Sequence, residues 1–394
     1  MEPCIRAVWL AVALSIALLV GSPLGADISS KFVSVVPLDI QFGQAPVAVN
    51  GEGRDHFLYE MRLTNFSGRD LTLKSIDVIN DENGMLVSRH TGDELKGMIG
   101  TPGRNSPGGR QLFIPPGAFV IVYFDTMLAG RSTGNIRLRH AIHIEGAEAP
   151  DGKAARTVLF SEPLVAKRRQ PLILAAPLQG GGWLAANALS NIADHRRTIA
   201  VVNGRARIAQ RYAIDFVQLD EHGRAYSGDP SRNENWTGYG APVLAVADGV
   251  VETVKDDLPD NQPLGAPVVK IDLETIGGNH VVLALPGGER VFYGHLKPES
   301  IRVKIGQRVK RGDPLAALGN SGQSDAPHLH IHVADGSSAL GAEGLAFAFQ
   351  AFQLQGYVPS LEVIESPNGW QRASDSKVIE RRKELPLANA VIGF

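Results

Sequence analysis

The sequence predicts a mainly β protein, an N-terminal immunoglobulin-like β-sandwich followed by an antiparallel sheet of tight hairpins, on three observations. With 394 residues the chain exceeds what one hydrophobic core usually organises, so two folded regions are expected. The 43 glycines and 24 prolines interrupt it too often for long helices and suit short strands joined by turns. Several short runs alternate apolar and polar residues, the period of a strand with one buried face. Composition also excludes other classes. A chain that is 44% hydrophobic and 20% charged can bury cores and is not disordered throughout. A formal net charge of −2 gives no electrostatic footprint for nucleic acid.

Residues 1–26 read as a signal peptide. Arg6 precedes an uncharged apolar run, Ala7 to Val20, and small residues lead to Ala26 as the cleavage point. Fourteen residues are short for a membrane span, which needs about 20; the alternative is an uncleaved anchor. In either case the remainder is expected to be exported, periplasmic or envelope-associated, with no stable span after cleavage. The single cysteine, Cys4, precedes the apolar run, so the mature chain is expected to lack disulfides and thiol chemistry.

Residues 27–165 form the expected sandwich. Phe57 to Leu63 alternates, Asn65 to Arg69 supplies a turn, Leu71 to Val78 alternates again, and Ala118 to Phe124 is a more continuous apolar run. Gly97 to Gly109 reads as a long loop. His90, His140 and His143 have no ligand-type partners nearby and read as surface or turn histidines. This half carries no chemistry and suits a spacing module or one that contacts a cell-envelope protein. Residues 166–188, with Gly180-Gly-Gly182, read as a linker, 189–360 as the second domain and 361–394 as a C-terminal extension.

Seven of the eleven histidines fall between His195 and His332. In His328-Leu-His-Ile-His332 a strand would project all three imidazoles from one side. A divalent metal would stabilise such a face, because neutral imidazole is a good zinc ligand; a solvated polar face is the alternative. Asp215, inside the apolar Tyr212 to Val217, is costly to bury unless paired or metal-bound, though a strand-end aspartate facing water would read the same way. His295 ends the apolar Val291-Phe-Tyr-Gly-His-Leu296 and could equally be a packed histidine. Around these, Tyr239 to Val251 gives strand, Asp-Gly turn, strand, and Pro286-Gly-Gly288 joins Asn279–Leu285 to Glu289–Leu296. These hairpins resemble the barrel-sandwich of biotinyl or lipoyl carriers, but the tip Asp248-Gly249 lacks the lysine a carrier needs.

Gly240-Ala-Pro-Val, Ala247-Asp-Gly-Val-Val, Tyr293-Gly-His-Leu, Gly306-Gln-Arg-Val-Lys-Arg-Gly, Gly319-Asn-Ser-Gly-Gln-Ser and Pro327-His-Leu-His occur in the order found in the M23 (LytM/lysostaphin-type) zinc metallopeptidases. Over about residues 189–333 the chain resembles that family. The resemblance implies a LytM/M23 domain of barrel-sandwich hairpins, a Zn2+ cofactor, and hydrolysis of peptidoglycan stem or cross-link peptides. It also implies Asp215 and His330 as zinc ligands and His295 and His328 as the catalytic pair flanking a zinc-activated water. Asn320 and Ser321, on a Gly-rich rim, are expected to meet the substrate peptide. The family's first ligand, four residues before the aspartate, is replaced here by Arg211, whose guanidinium stays protonated and cannot bind zinc. His195 is the favoured substitute, since a hairpin through Asn203-Gly204 could return the chain to Asp215, with His332 and His222 behind it. The alternative to an enzyme is a LytM-like regulator that binds and activates a separate wall hydrolase. No Gly-x-Ser-x-Gly elbow or phosphate-binding Gly-Lys-Ser/Thr loop supports another class.

Overall fold

The computed structural model describes residues 37–100, 111–129, 134–148, 154–372 and 377–394. The expected signal peptide, with Cys4 and Ala26, and most of the Gly97–Gly109 loop lie outside them. Among the described residues the first region is two antiparallel sheets on one core. One sheet of five strands runs Leu38–Phe42, Arg54–Asn65, Phe119–Ala129, Ile99–Gly100, with Val49–Gly51 also paired to Arg54–Asn65. The other, of six, runs Ala154–Phe160, Ile136–Glu148, Leu71–Asn80, Leu86–Thr91, with Leu164–Ala166 and Phe113–Ile114 added. Phe57, Tyr59 and Met61 from the first meet Leu71, Leu73 and Ile76 from the second, as alternate strand residues of two facing sheets should.

The other face of Arg54–Asn65 is not a water face. Leu58 joins the core of the second region, and Glu60 is buried against Arg196 and Arg211. A mainly β fold is as expected, but His140 is a correction. It is fully buried among Phe42, Tyr59 and Phe124, with Nε2 2.7 Å from the Tyr59 hydroxyl. Leu138 and Ile142, two residues to either side in the same strand, are buried with it.

The second region is built on one large sheet, antiparallel except for one strand pair. From one edge the order is Leu172–Leu174, Phe347–Tyr357, Ala390–Gly393, Trp183–Ala186, Ile214–Gln218, Leu329–Ala334, Arg290–Leu296, Asn279–Ala284, Gly249–Lys255, Arg308–Val309. The 166–188 segment therefore holds two strands of this sheet, Leu172–Leu174 and Trp183–Ala186. The 361–394 segment supplies Ala390–Gly393 and Ile379–Glu384, both paired with Phe347–Tyr357. A separate hairpin pairs Pro242–Leu244 with Pro314–Ala317. No helix among the described residues is long and apolar enough to cross a membrane.

Candidate metal centre

Three neighbouring strands bring the site together. The register places Asp215 of Ile214–Gln218 opposite His330 of Leu329–Ala334, and His330 opposite Gly294 of Arg290–Leu296. Alternation sends Ile214, Phe216, Leu329, Ile331 and Val333 into the core and leaves Asp215, His330 and His332 together on the other face. The lone carboxylate in an apolar strand thus has a partner: His330 Nδ1 lies 2.9 Å from Asp215 Oδ1. His195 arrives from the short helix Asp194–Arg197, its Nε2 3.3 Å from Asp215 Oδ2 and its ring edge-on to His330 at 4.7 Å. One donor atom from each of His195, Asp215 and His330 lies within 4.8 Å of the other two.

His328 and His295 flank this cluster, their rings 4.7 Å apart. His328 Nδ1 donates to the Ala326 carbonyl at 2.8 Å, and His295 Nδ1 donates to the Ser321 carbonyl at 2.8 Å. A carbonyl only accepts, so both rings carry their proton on Nδ1 when neutral, which leaves Nε2 without a proton. His328 Nε2 is 3.4 Å from Asp215 Oδ1. His295 sits at φ 59°, a left-handed backbone that a non-glycine residue adopts only under local constraint. That turn lets its side chain leave the strand and face His328.

Electrostatics follow from burial and from Asp215. Burial opposes the Asp215 carboxylate, but the potentials of His195 and His328 outweigh it and hold its pKa well below the usual value. Burial lowers His195 to about 4 against the attraction of Asp215. Burial also holds His295 well below its ordinary value, helped by repulsion from His328 and His330. For His328, burial is overcome by Asp215 and the pKa is raised. At neutral pH the cluster therefore has an ionised carboxylate and a neutral His195, the protonation states a metal ion requires of its ligands. Two imidazoles and one carboxylate converging on a buried point are the donor set of a metal site with one open coordination position, so these residues fit a divalent transition metal.

Arg211 turns away from this centre. Its guanidinium donates to Glu60, at 2.7 Å from Nη2 to Oε2, and also pairs with Glu343. His222 is exposed in a turn and takes no part. Asn320 and Ser321 require a correction, because both are fully buried with their polar groups engaged internally. The Asn320 amide donates to Asn233 Oδ1 and the Asn261 carbonyl, and Ser321 Oγ donates to the Leu296 carbonyl. A cavity of about 390 Å³ over the cluster is lined instead by Gln323, Ser324 and Asp325 from that loop. Sequence reasoning missed Asn187, whose side chain donates to Asp215 Oδ2 at 3.0 Å. It weighed His332 as a ligand, whereas His332 Nδ1 lies 2.8 Å from His330 Nε2, on the far side of that ring from Asp215.

Residues 236–341 match the model of Peptidase family M23. The chain is 33% identical over 97 residues to the peptidoglycan DD-endopeptidase ShyB of Vibrio cholerae, covering 25% of this chain and 18% of that protein. It is 36% identical over 92 residues to an uncharacterised metalloprotease of Haemophilus influenzae, covering 23% and 15%. The chain thus spans less than a fifth of the length of these two relatives. Among solved structures, the catalytic domain of lysostaphin from Staphylococcus simulans is 21% identical with a TM-score of 0.23, covering 42% of this chain and 88% of that one. The catalytic domain of the M23 protein EnpA from Enterococcus faecalis is 18% identical with a TM-score of 0.25, covering 45% and 93%. The matched segment contains His295, His328, His330 and His332, and through residues 236–341 the chain carries a domain of peptidase family M23.

Proposed function

We propose that the chain is an exported zinc metalloendopeptidase that hydrolyses peptide bonds in the stem or cross-link peptides of bacterial peptidoglycan. One observation carries the reading: His195, Asp215 and His330 converge within 4.8 Å, with two further imidazoles beside them, each held through Nδ1 by a backbone carbonyl. His195, Asp215 and His330 would hold the zinc, which when bound acidifies water and polarises a carbonyl. His328 accepts the proton of the attacking water at Nε2, a role suited to the imidazole that Asp215 makes more basic. The proton that His328 takes then passes to the leaving amine, directly or through Nε2 of His295, whose ring lies 4.7 Å away. Ser324 Oγ and the Ala326 carbonyl fix the His328 ring, and Ser321 fixes that of His295. The substrate class rests on the M23 domain and on the naming of the Vibrio cholerae relative.

The test uses purified protein and purified peptidoglycan. We expect about one zinc per chain and the release of new amino termini from the wall. Asp215→Ala should lose both metal and cleavage. His328→Ala should keep the metal while hydrolysis falls by roughly 10²-fold or more, the usual contribution of a general base. Zinc binding without any cleavage would replace this reading by that of a regulator of a separate hydrolase.

A further inference from the structure

The helix that carries His195 is a single turn, Asp194–Arg197. One turn has no stability of its own, so its place is dictated by what it is tied to. Its ties run to the N-terminal sandwich. The Arg196 guanidinium, 1% exposed, pairs with Glu60 and donates to the carbonyls of Tyr59 at 3.0 Å and Phe124 at 3.3 Å. Arg197 donates to the carbonyls of Gly97 at 2.6 Å and Ile99 at 3.3 Å. Just upstream, the Asn191 amide donates to the Tyr123 carbonyl at 2.6 Å. His195, between the two arginines and Asp194, points the opposite way, to Asp215.

Glu60 does a second thing. Its Oε2 accepts from Arg211 Nη2 at 2.7 Å and its Oε1 from Arg211 Nε at 3.2 Å. Arg211 stands four residues before Asp215 at the entry to the strand Ile214–Gln218. One buried carboxylate of the sandwich therefore grips both chain segments that supply the upstream donors, the helix of His195 and the approach to Asp215. Arg211 meets Glu60 bidentately, and Arg196 meets it through Nη1 while Nη2 is held by the two carbonyls, so both guanidinium planes are fixed in direction as well as distance.

We propose that Glu60 is a positioning residue for the metal centre: the sandwich, through Glu60 and Arg196, sets where His195 stands and so sets metal affinity. The proposal rests on the zinc reading above. It makes the N-terminal sandwich part of the metal site, although no side chain of that sandwich among the described residues is hydrogen-bonded or ion-paired to His195, Asp215 or His330.

The experiment uses the full chain and two readouts other than turnover: zinc affinity by chelator competition, and the visible absorption of the Co2+-substituted protein, which reports ligand number and geometry. Each variant is measured at a temperature where its circular dichroism matches the wild type. Glu60→Gln and Arg196→Gln should weaken zinc binding at least tenfold, as loss of a ligand-orienting group typically does, and should alter the Co2+ spectrum. Arg196→Lys, which keeps the charge on Glu60, should recover part of the loss. Leu73→Ala, buried in the sandwich core away from this helix, should lower the melting temperature but leave both readouts unchanged. If Glu60→Gln fails to fold, Asn191→Ala removes one tie and should weaken zinc binding several-fold. Folded Glu60→Gln with wild-type affinity and spectrum would overturn the proposal, as would an unaffected Asn191→Ala where Glu60→Gln does not fold. A wild type that binds no zinc would instead overturn the reading on which the proposal rests.

Discussion

His330 reaches Asp215 with one ring nitrogen and His332 with the other, so its orientation is fixed from both sides. His332 is itself held flat against Phe292, their rings 5.0 Å apart at 12°. Replacing His332 with Phe should leave the fold intact and weaken zinc binding about 10- to 100-fold, the usual cost of losing a ligand's outer partner. Gln, which offers an acceptor, should recover much of it; chelator competition on the three proteins decides. The strand period made the His328–His332 row legible, and the apolar surroundings of Asp215 marked it as a residue needing a partner. The identity of that partner was not legible from spacing, because Asp215 and His330 are 115 residues apart in sequence. Arg211 was legible only as a departure; its partner Glu60 lies 151 residues away in a strand that reads as solvent-facing on that side.

Elements at the site depend on turns that only glycine allows. A Cβ on Gly319 would lie 2.3 Å from the Lys297 nitrogen, and Gly322, at φ +75°, would place one 2.3 Å from the Gly278 nitrogen. These close approaches hold the loop whose Ser321 carbonyl accepts from His295. Gly322→Ala should therefore destabilise the protein by about 1–3 kcal/mol and also depress turnover, because the His295 ring loses its fixed acceptor. Melting temperature and rate together test this: a fall in stability with an unchanged rate would count against the link between loop and His295. The Gly and Pro punctuation revealed the hairpins, including the Pro286-Gly-Gly288 connection. It could not reveal that Trp183–Ala186 and Ala390–Gly393, far apart in sequence, lie side by side beside the strand of Asp215, since pairing is set by the whole sheet.

At the scale of the whole molecule, stability should depend on pH through a residue remote from the chemistry. Burial lowers His140 to about 3, with repulsion from His90 adding to it, whereas an unfolded chain titrates it near 6.5. Between those values the unfolded state binds a proton that the folded state refuses, so stability is complete above about pH 6.5 and lost as pH falls toward 3, by about 1.4 kcal/mol per unit. His140→Gln, which can still hydrogen-bond Tyr59, should flatten this dependence between pH 6.5 and 5. Denaturant midpoints of the two proteins across that window measure it, and parallel curves would remove His140 as the cause. The strand Ala390–Gly393 has a different consequence. Among the described residues it follows every other strand of the large sheet in sequence yet occupies an interior position, so a chain cut before it would present Trp183–Ala186 and Phe347–Tyr357 as open edges. A chain cut before Ala390 should thus be aggregation-prone rather than only slightly less stable.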